Sequence, residues 1–168
     1  MAAKEESDRA SGKNRTTVER KSERELVVTR TFNAPARIVF EAWTKPELFK
    51  QWWVPKSSGM TMLSCDMDIR TGGTYRLVFR HPAFEQPMAF FGSYIEVTPP
   101  SRLVWTNDEG GEGGSVTTVT FEERGGKTLV VLRDLYASKE ALDEAIESGS
   151  TGGFGEQFEQ LDAFLAGL

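Results

Sequence analysis

The chain has little sulfur and imidazole chemistry to offer: one cysteine, Cys65, and one histidine, His81, in 168 residues. A single cysteine excludes an intramolecular disulfide, so nothing requires an oxidising compartment. One His and one Cys would leave a zinc shell to carboxylates, which argues against a metal site. Positive charge is also short. Lys and Arg number 20 against 25 Asp and Glu, a formal net charge of -5, whereas a general nucleic-acid binder carries a basic face. No run approaches the roughly 18 apolar residues of a spanning helix, and the polar N-terminus does not read as a secretory signal. Phosphate-cradling glycine loops, the nucleophile elbow and the His-Glu-x-x-His zinc motif are absent too. The expectation is a cytoplasmic protein with no cofactor and no metal, binding neither nucleic acid nor membrane.

What is present suits one globular domain. Hydrophobic residues make up 39% and aromatics 11%, enough for a substantial core. Residues 1–24 hold seven Lys/Arg, five Asp/Glu and few apolar side chains, about +2 against about -7 for the remainder. Such a segment cannot bury enough to offset ordering entropy, so it reads as a flexible charged tail before a single domain at residues 25–168.

The last stretch organises the rest. Phe154, Phe158, Leu161 and Leu165 fall on one face of a helix, while Glu156, Glu159, Gln160 and Asp162 fall elsewhere and can stay in water. A helix with so wide an apolar stripe needs a surface to cover. The middle of the chain supplies one. Leu26, Val28, Arg30 and Phe32 alternate along a first strand. Asn33, as N-cap, and Pro35 open a helix, and the break at Lys45–Pro46 starts a second over residues 46–53. From residue 60 the period is two, with Leu63, Cys65, Met67 and Ile69 on one side. Gly72–Gly73 and Gly125–Gly126 mark hairpin turns. Six strands follow, then a short helix capped by Ser138, then the final helix. A meander of hairpins is antiparallel. The expectation is an α+β fold of order β-α-α-β6-α, a curved sheet gripping the C-terminal helix with an apolar cavity between.

Several stretches together resemble a known family. They are NAPARIVFEAWTKPELFKQWWVP at residues 33–55, DIRTGG at 68–73, GSYIEVTPPSRLVW at 92–105 and VTF at 119–121. The chain resembles the AHSA1-like (activator of Hsp90 ATPase homologue-like) group of the SRPBCC, or START/Bet v 1-like, superfamily over roughly residues 25–168. The Trp52-Trp53-x-Pro55 and Arg70-x-Gly72-Gly73 elements are specific for its fold. Relatives often open the final helix with Gly-Trp, where this chain has Gly153–Phe154. The resemblance implies the helix-grip fold and a ligand cavity. It supplies no reaction, because members include binders, cyclases and self-sacrificing resistance proteins.

Candidate lining residues follow from position. Trp43 and Trp53 come from the helical segment; Cys65 and Met67 from the second strand; Tyr75, Leu77 and Phe79 from the third. Phe91 and Ser93 come from the fourth strand, Trp105 from the fifth, and Phe154 and Phe158 from the final helix. Tyr94, His81 and Asp134 are candidates to orient a ligand. Each aromatic taken singly reads as core, Cys65 as a small core residue, and His81 as an exposed turn histidine before Pro82. One of Arg133 and Asp134 must face inward, but Leu129/Val131 and Val130/Leu132 are equally apolar and do not say which. Gly152, Gly153 and Gly155 read either as room at a cavity mouth or as a flexible linker. The leading expectation is a non-catalytic binder of a small hydrophobic, aromatic-compatible molecule. Its rivals are a cyclase- or hydrolase-type enzyme using the same cavity, and a chaperone-associated interaction module working through the outer sheet face. A homodimer and a chaperone stand as secondary partner expectations.

Overall fold

The structure is a computed structural model that describes residues 15–108, 114–149 and 151–168. Its centre is an eight-stranded sheet in the order β1-β2-β8-β7-β6-β5-β4-β3, antiparallel at every pairing. The strands are β1 (Thr17–Arg20), β2 (Glu25–Phe32), β3 (Thr61–Met67), β4 (Thr74–Arg80), β5 (Met88–Thr98), β6 (Arg102–Asn107), β7 (Ser115–Arg124) and β8 (Lys127–Leu135). The helices are α1 (Ala36–Thr44), α2 (Pro46–Phe49), α3 (Lys139–Glu147) and α4 (Phe154–Ala166), with a 3-10 turn at Lys56–Ser58. After β2 the helices carry the chain to the far edge. The six-stranded meander then walks back until β8 lies beside β2. This is the α+β helix-grip architecture, and α4 covers the concave face.

The alternation that predicts β2 is the alternation it buries: Leu26, Val28, Arg30 and Phe32 are all inside. Trp43, Val39, Phe40 and Ala42 give α1 its buried face. Ser138 caps α3 as expected, its hydroxyl accepting from the Ala141 amide at 3.0 Å. In α4, Phe158, Leu161 and Leu165 are buried.

Several expectations are corrected. The fold begins before residue 25: β1 pairs with β2 from Thr17↔Thr29 to Arg20↔Leu26. An edge strand is held by backbone hydrogen bonds and tolerates polar side chains, so composition alone does not reveal it. Arg20 also bonds the Ser22 and Glu23 carbonyls and pairs with Asp143 at 2.7 Å. The tail reading for residues 1–14 lies outside the described residues. Asn33 does not cap α1; Pro35 occupies that place, and the Ala36 amide donates to Glu123 Oε1 at 2.9 Å. The second helix is only four residues long, and Trp52 is tied back to α1 by its Nε1 bond to the Ala42 carbonyl at 3.0 Å.

Two bulges shift strand parity. One lies between Met62 and Ser64, the other between Tyr94 and Glu96. They send Leu63 and Ile95 outward, each 50% exposed, against a strict alternation from Leu63. An extra residue bends and twists its strand, and both bulges fall in the half of the sheet that curves over the cavity. Gly92 lets β5 approach β6: a Cβ there would lie 1.9 Å from the Thr106 carbonyl oxygen.

The polar side of α4 stays only partly in water: Glu159 remains 61% exposed, while Asp162 is 17% exposed. Arg30 has no exposed side-chain surface, and its guanidinium pairs with Glu159 at 2.9 Å and Asp162 at 3.3 Å. It also donates to Thr16 Oγ1 at 3.0 Å. A buried cation needs such partners, so these carboxylates are drawn over β2. No helix among the described residues is long and apolar enough to cross a membrane.

Candidate functional site

Between the concave face of β3–β6 and the start of α4 lies a cavity of about 380 Å³. Its sheet wall carries Met67, Tyr75, Leu77, Phe79, Phe90, Tyr94, Leu103, Trp105 and Asn107. Trp43 and Phe49 close its floor. The segment from Trp53 to Met60 and the α4 head, through Gly153, Phe154 and Gln157, form the remaining side.

The floor is an aromatic cluster centred on Trp43. Its ring centroid lies 4.8 Å from Trp52, 5.9 Å from Trp53, 6.1 Å from Trp105 and 6.0 Å from Phe158. Tilted and edge-on contacts of this kind hold rings rigidly. The segment between α2 and β3 has little secondary structure, so its backbone groups need outside partners. The polar face of α4 supplies them. Gln157 Nε2 donates to the Trp53 carbonyl at 2.6 Å, and Gln160 Nε2 to those of Trp52 and Val54 at 2.8 Å. Gln160 Oε1 accepts from the Lys56 amide at 2.9 Å, and Glu156 accepts from the Ser57 amide and hydroxyl. Those Ser57 hydrogen bonds hold the Glu156 carboxyl below its ordinary range. The expectation that Glu156 and Gln160 simply face solvent is therefore corrected.

No wall residue carries a charge at neutral pH. Burial pushes the Tyr94 hydroxyl up, keeping it a neutral phenol. Among the described residues no three His, Cys, Asp or Glu side chains converge as a metal site. Such a surface can enclose a neutral apolar body; it presents no ionised acid or base to it.

Of the residues singled out from sequence, the structure brings Trp43, Trp53, Met67, Tyr75, Leu77, Phe79, Trp105, Phe154 and Tyr94 together on this wall. The others lie elsewhere. Phe91 and Ser93 are on the opposite face, because the inward residues of β5 are Phe90, Gly92 and Tyr94; Phe91 is 41% exposed. Phe158 is one helical turn beyond Phe154 and is fully buried between Phe32 and Trp43. Cys65 pairs across from Leu77 with its Sγ 3.4 Å from Met67 Sδ, off the cavity wall, and burial raises its thiol pKa. His81 sits in a turn, Nδ1 accepting from the Ala83 amide at 2.9 Å. Asp134 does face inward, with Arg133 outward, yet Thr117 and Asn107 stand between it and the cavity. Burial pushes its carboxyl up to about 6, partly offset by the Thr117 hydrogen bond.

Sequence reasoning missed Phe49, Val54, Pro55, Ser58, Met60, Phe90, Leu103, Asn107 and Gln157. Some were findable. Leu103, Trp105 and Asn107 share one strand parity, and Gln157 interrupts the α4 apolar stripe at a position where water would be excluded.

The chain matches the family described as Activator of Hsp90 ATPase homolog 1-like protein over residues 33–166. It belongs to the AHSA1-like family. Solved structures agree with that membership. A Rhodobacter sphaeroides protein is 25% identical and superposes with a TM-score of 0.81, over 91% of this chain and 99% of its own. A Staphylococcus epidermidis protein is 28% identical at a TM-score of 0.73, over 89% and 93%. The AHSA1-like protein from Aeromonas hydrophila, 19% identical with a TM-score of 0.64 over 82% and 92%, shares the fold. A search of the curated proteins finds no match. In this AHSA1-like chain the family's segment at residues 33–55 builds α1, α2 and the Trp-rich floor, and DIRTGG forms the turn between β3 and β4.

Proposed function

We propose that this protein binds a small hydrophobic molecule, with room for a flat aromatic one, in the cavity under α4. One observation carries the reading: an uncharged, aromatic-lined space of about 380 Å³ remains where a rigid helix covers a bent sheet. That volume lies within the range of ordinary small-molecule sites, which are mostly apolar with a few polar groups. The START-type fold, which commonly takes hydrophobic ligands, supports it. Phe154 at the cavity's helical edge is the residue best placed to control entry.

Native mass spectrometry of protein purified from its own host should reveal a co-purifying small molecule, released unchanged. A matching compound at 100 times its Kd should stabilise the fold by about 2.7 kcal/mol, raising Tm by roughly 5–11 °C. Phe154→Trp should weaken binding by narrowing the space. Binding that ignores this change would show that the helix head is not part of the site.

A second reading is favoured by the family description, which names an activator of the Hsp90 ATPase. A chaperone-directed role would use the outer sheet face, where Leu63, Phe91 and Ile95 are exposed. Pull-down with the chaperone, lost on charge substitution of that face and kept in Phe154→Trp, is its test.

A further inference from the structure

A directional hydrogen-bond chain runs from the cavity wall into the sheet. Asn107 Nδ2 donates to the Ser115 carbonyl at 3.3 Å, the Ser115 hydroxyl at 3.0 Å and Thr117 Oγ1 at 2.9 Å. Thr117 Oγ1 donates in turn to Asp134 Oδ1. A carboxylate and a backbone carbonyl accept hydrogen bonds and cannot donate them. With Asp134 ionised, the Thr117 proton must point at it, leaving Thr117 only lone pairs for Asn107. The Asn107 amide NH2 must then face Thr117 and Ser115. Its Oδ1 is turned the other way, toward Trp105, Tyr75 and the cavity that Asn107 lines.

That oxygen is not used up. Trp105 Nε1 reaches it at a long 3.3 Å. The Tyr75 hydroxyl lies 3.2 Å away, but its one proton has a better acceptor in the Thr106 carbonyl at 2.8 Å. A carbonyl oxygen has two lone pairs, so one remains for a ligand. An independent observation points the same way. Tyr94, on the same wall, is 5% exposed, and its hydroxyl has no hydrogen-bond partner among the described residues. A hydroxyl with no protein partner, on an otherwise apolar cavity wall, keeps its donor and acceptor capacity for a ligand.

We propose that the cavity selects a neutral, largely apolar molecule bearing a hydroxyl or N–H group that donates to Asn107 Oδ1, and that Asp134, acting through Thr117, is the positioning residue that sets this polarity. The proposal rests on the ligand-binding reading above and names its substrate class. Charged ligands are excluded because the wall has no counter-charge to offset their desolvation. Tyr94 gives the ligand hydroxyl a second neutral partner on the same wall.

The test is equilibrium dialysis at pH 7.5 with three probes: naphthalene, 2-naphthol and 2-methoxynaphthalene. The wild type should bind 2-naphthol about fivefold more tightly than its methyl ether, the worth of one neutral hydrogen bond. That preference should vanish in Asn107→Leu. It should also fall, without vanishing, in Thr117→Val/Asp134→Leu, which leaves no unpaired carboxylate and only the Ser115 carbonyl and hydroxyl to orient the amide, while naphthalene is still bound. Retained circular dichroism melts identify folded variants, and the wild-type comparison needs no variant. Equal binding of 2-naphthol and its ether by the wild type overturns the proposal and leaves the binding reading intact. A preference that survives the double substitution undiminished overturns the role given to Asp134. Failure of the wild type to bind any probe, naphthalene included, refutes the binding reading itself.

Discussion

Replacing Arg30 with methionine should expose how the cavity's helix is held down. The guanidinium is wholly buried on β2 beneath α4, with Glu159 61% exposed and Asp162 17% exposed as its partners. Methionine keeps the length and apolar stem and deletes the charge. Breaking a buried pair costs about 3–5 kcal/mol because an uncompensated charge stays behind. Here Glu159 can swing into water, so the lower end, about 3 kcal/mol, is expected. At roughly 2–4 °C per kcal/mol the melting temperature should fall by about 6–12 °C. Urea unfolding followed by tryptophan fluorescence measures the loss directly. Arg30→Met/Asp162→Leu should recover most of it, since no partly buried carboxylate is then left unpaired. Arg30→Lys should fall between, because an ammonium lacks the fork that reaches two carboxylates and Thr16 together. A loss below about 1 kcal/mol in Arg30→Met, with no recovery in the double variant, would refute the view that this cluster pins α4.

Three further outcomes follow from packing and charge. Gly92→Ala should destabilise by about 2–3 kcal/mol in chemical denaturation, since the added Cβ meets the Thr106 backbone at 1.9 Å and no side chain can give way. Gln160→Leu should cost about 1–3 kcal/mol and speed amide exchange at residues 52–58, because two carbonyls and the Lys56 amide lose their partner. Asp134→Asn should be more stable than the wild type at pH 7.5. The folded carboxyl titrates near 6 against an ordinary 3.8, so its charge opposes folding above pH 6, by at most about 3 kcal/mol. That advantage should shrink as pH falls from 6 and be gone near 4; a pH-independent difference in melting temperature would contradict it.

Much of the site was readable because it obeys simple periods. Tyr75, Leu77 and Phe79 line the wall by alternating along β4, and Phe154 and Phe158 were correctly put on one helical face. The same logic misplaced Phe91, since two adjacent phenylalanines give no parity and Gly92, one residue on, is what fixes it. Phe158 shows a different limit. Facing the cavity side is not the same as reaching it, and depth depends on how far along α4 the sheet curves away. Asp134 was undecidable locally because both faces of β8 are equally apolar; pairing with β2 and β7 settled it.

The sequence by itself determined most element types, the antiparallel meander and the amphipathic final helix, because these depend on spacing and local turn chemistry; the family came separately, from the resemblance carried by its motifs. Only the tertiary structure decided the rest. Backbone pairing recruited β1 from a polar segment, and two bulges chose which β3 and β5 residues face in. A buried arginine drew Asp162 off the solvent side of α4 and paired with the still exposed Glu159, and unsatisfied loop carbonyls engaged Gln157 and Gln160. Each is a contact between residues distant in the chain, where a polar group must find a partner once water is gone. No local pattern encodes such a partner, and the shape of the cavity is what those partners leave open.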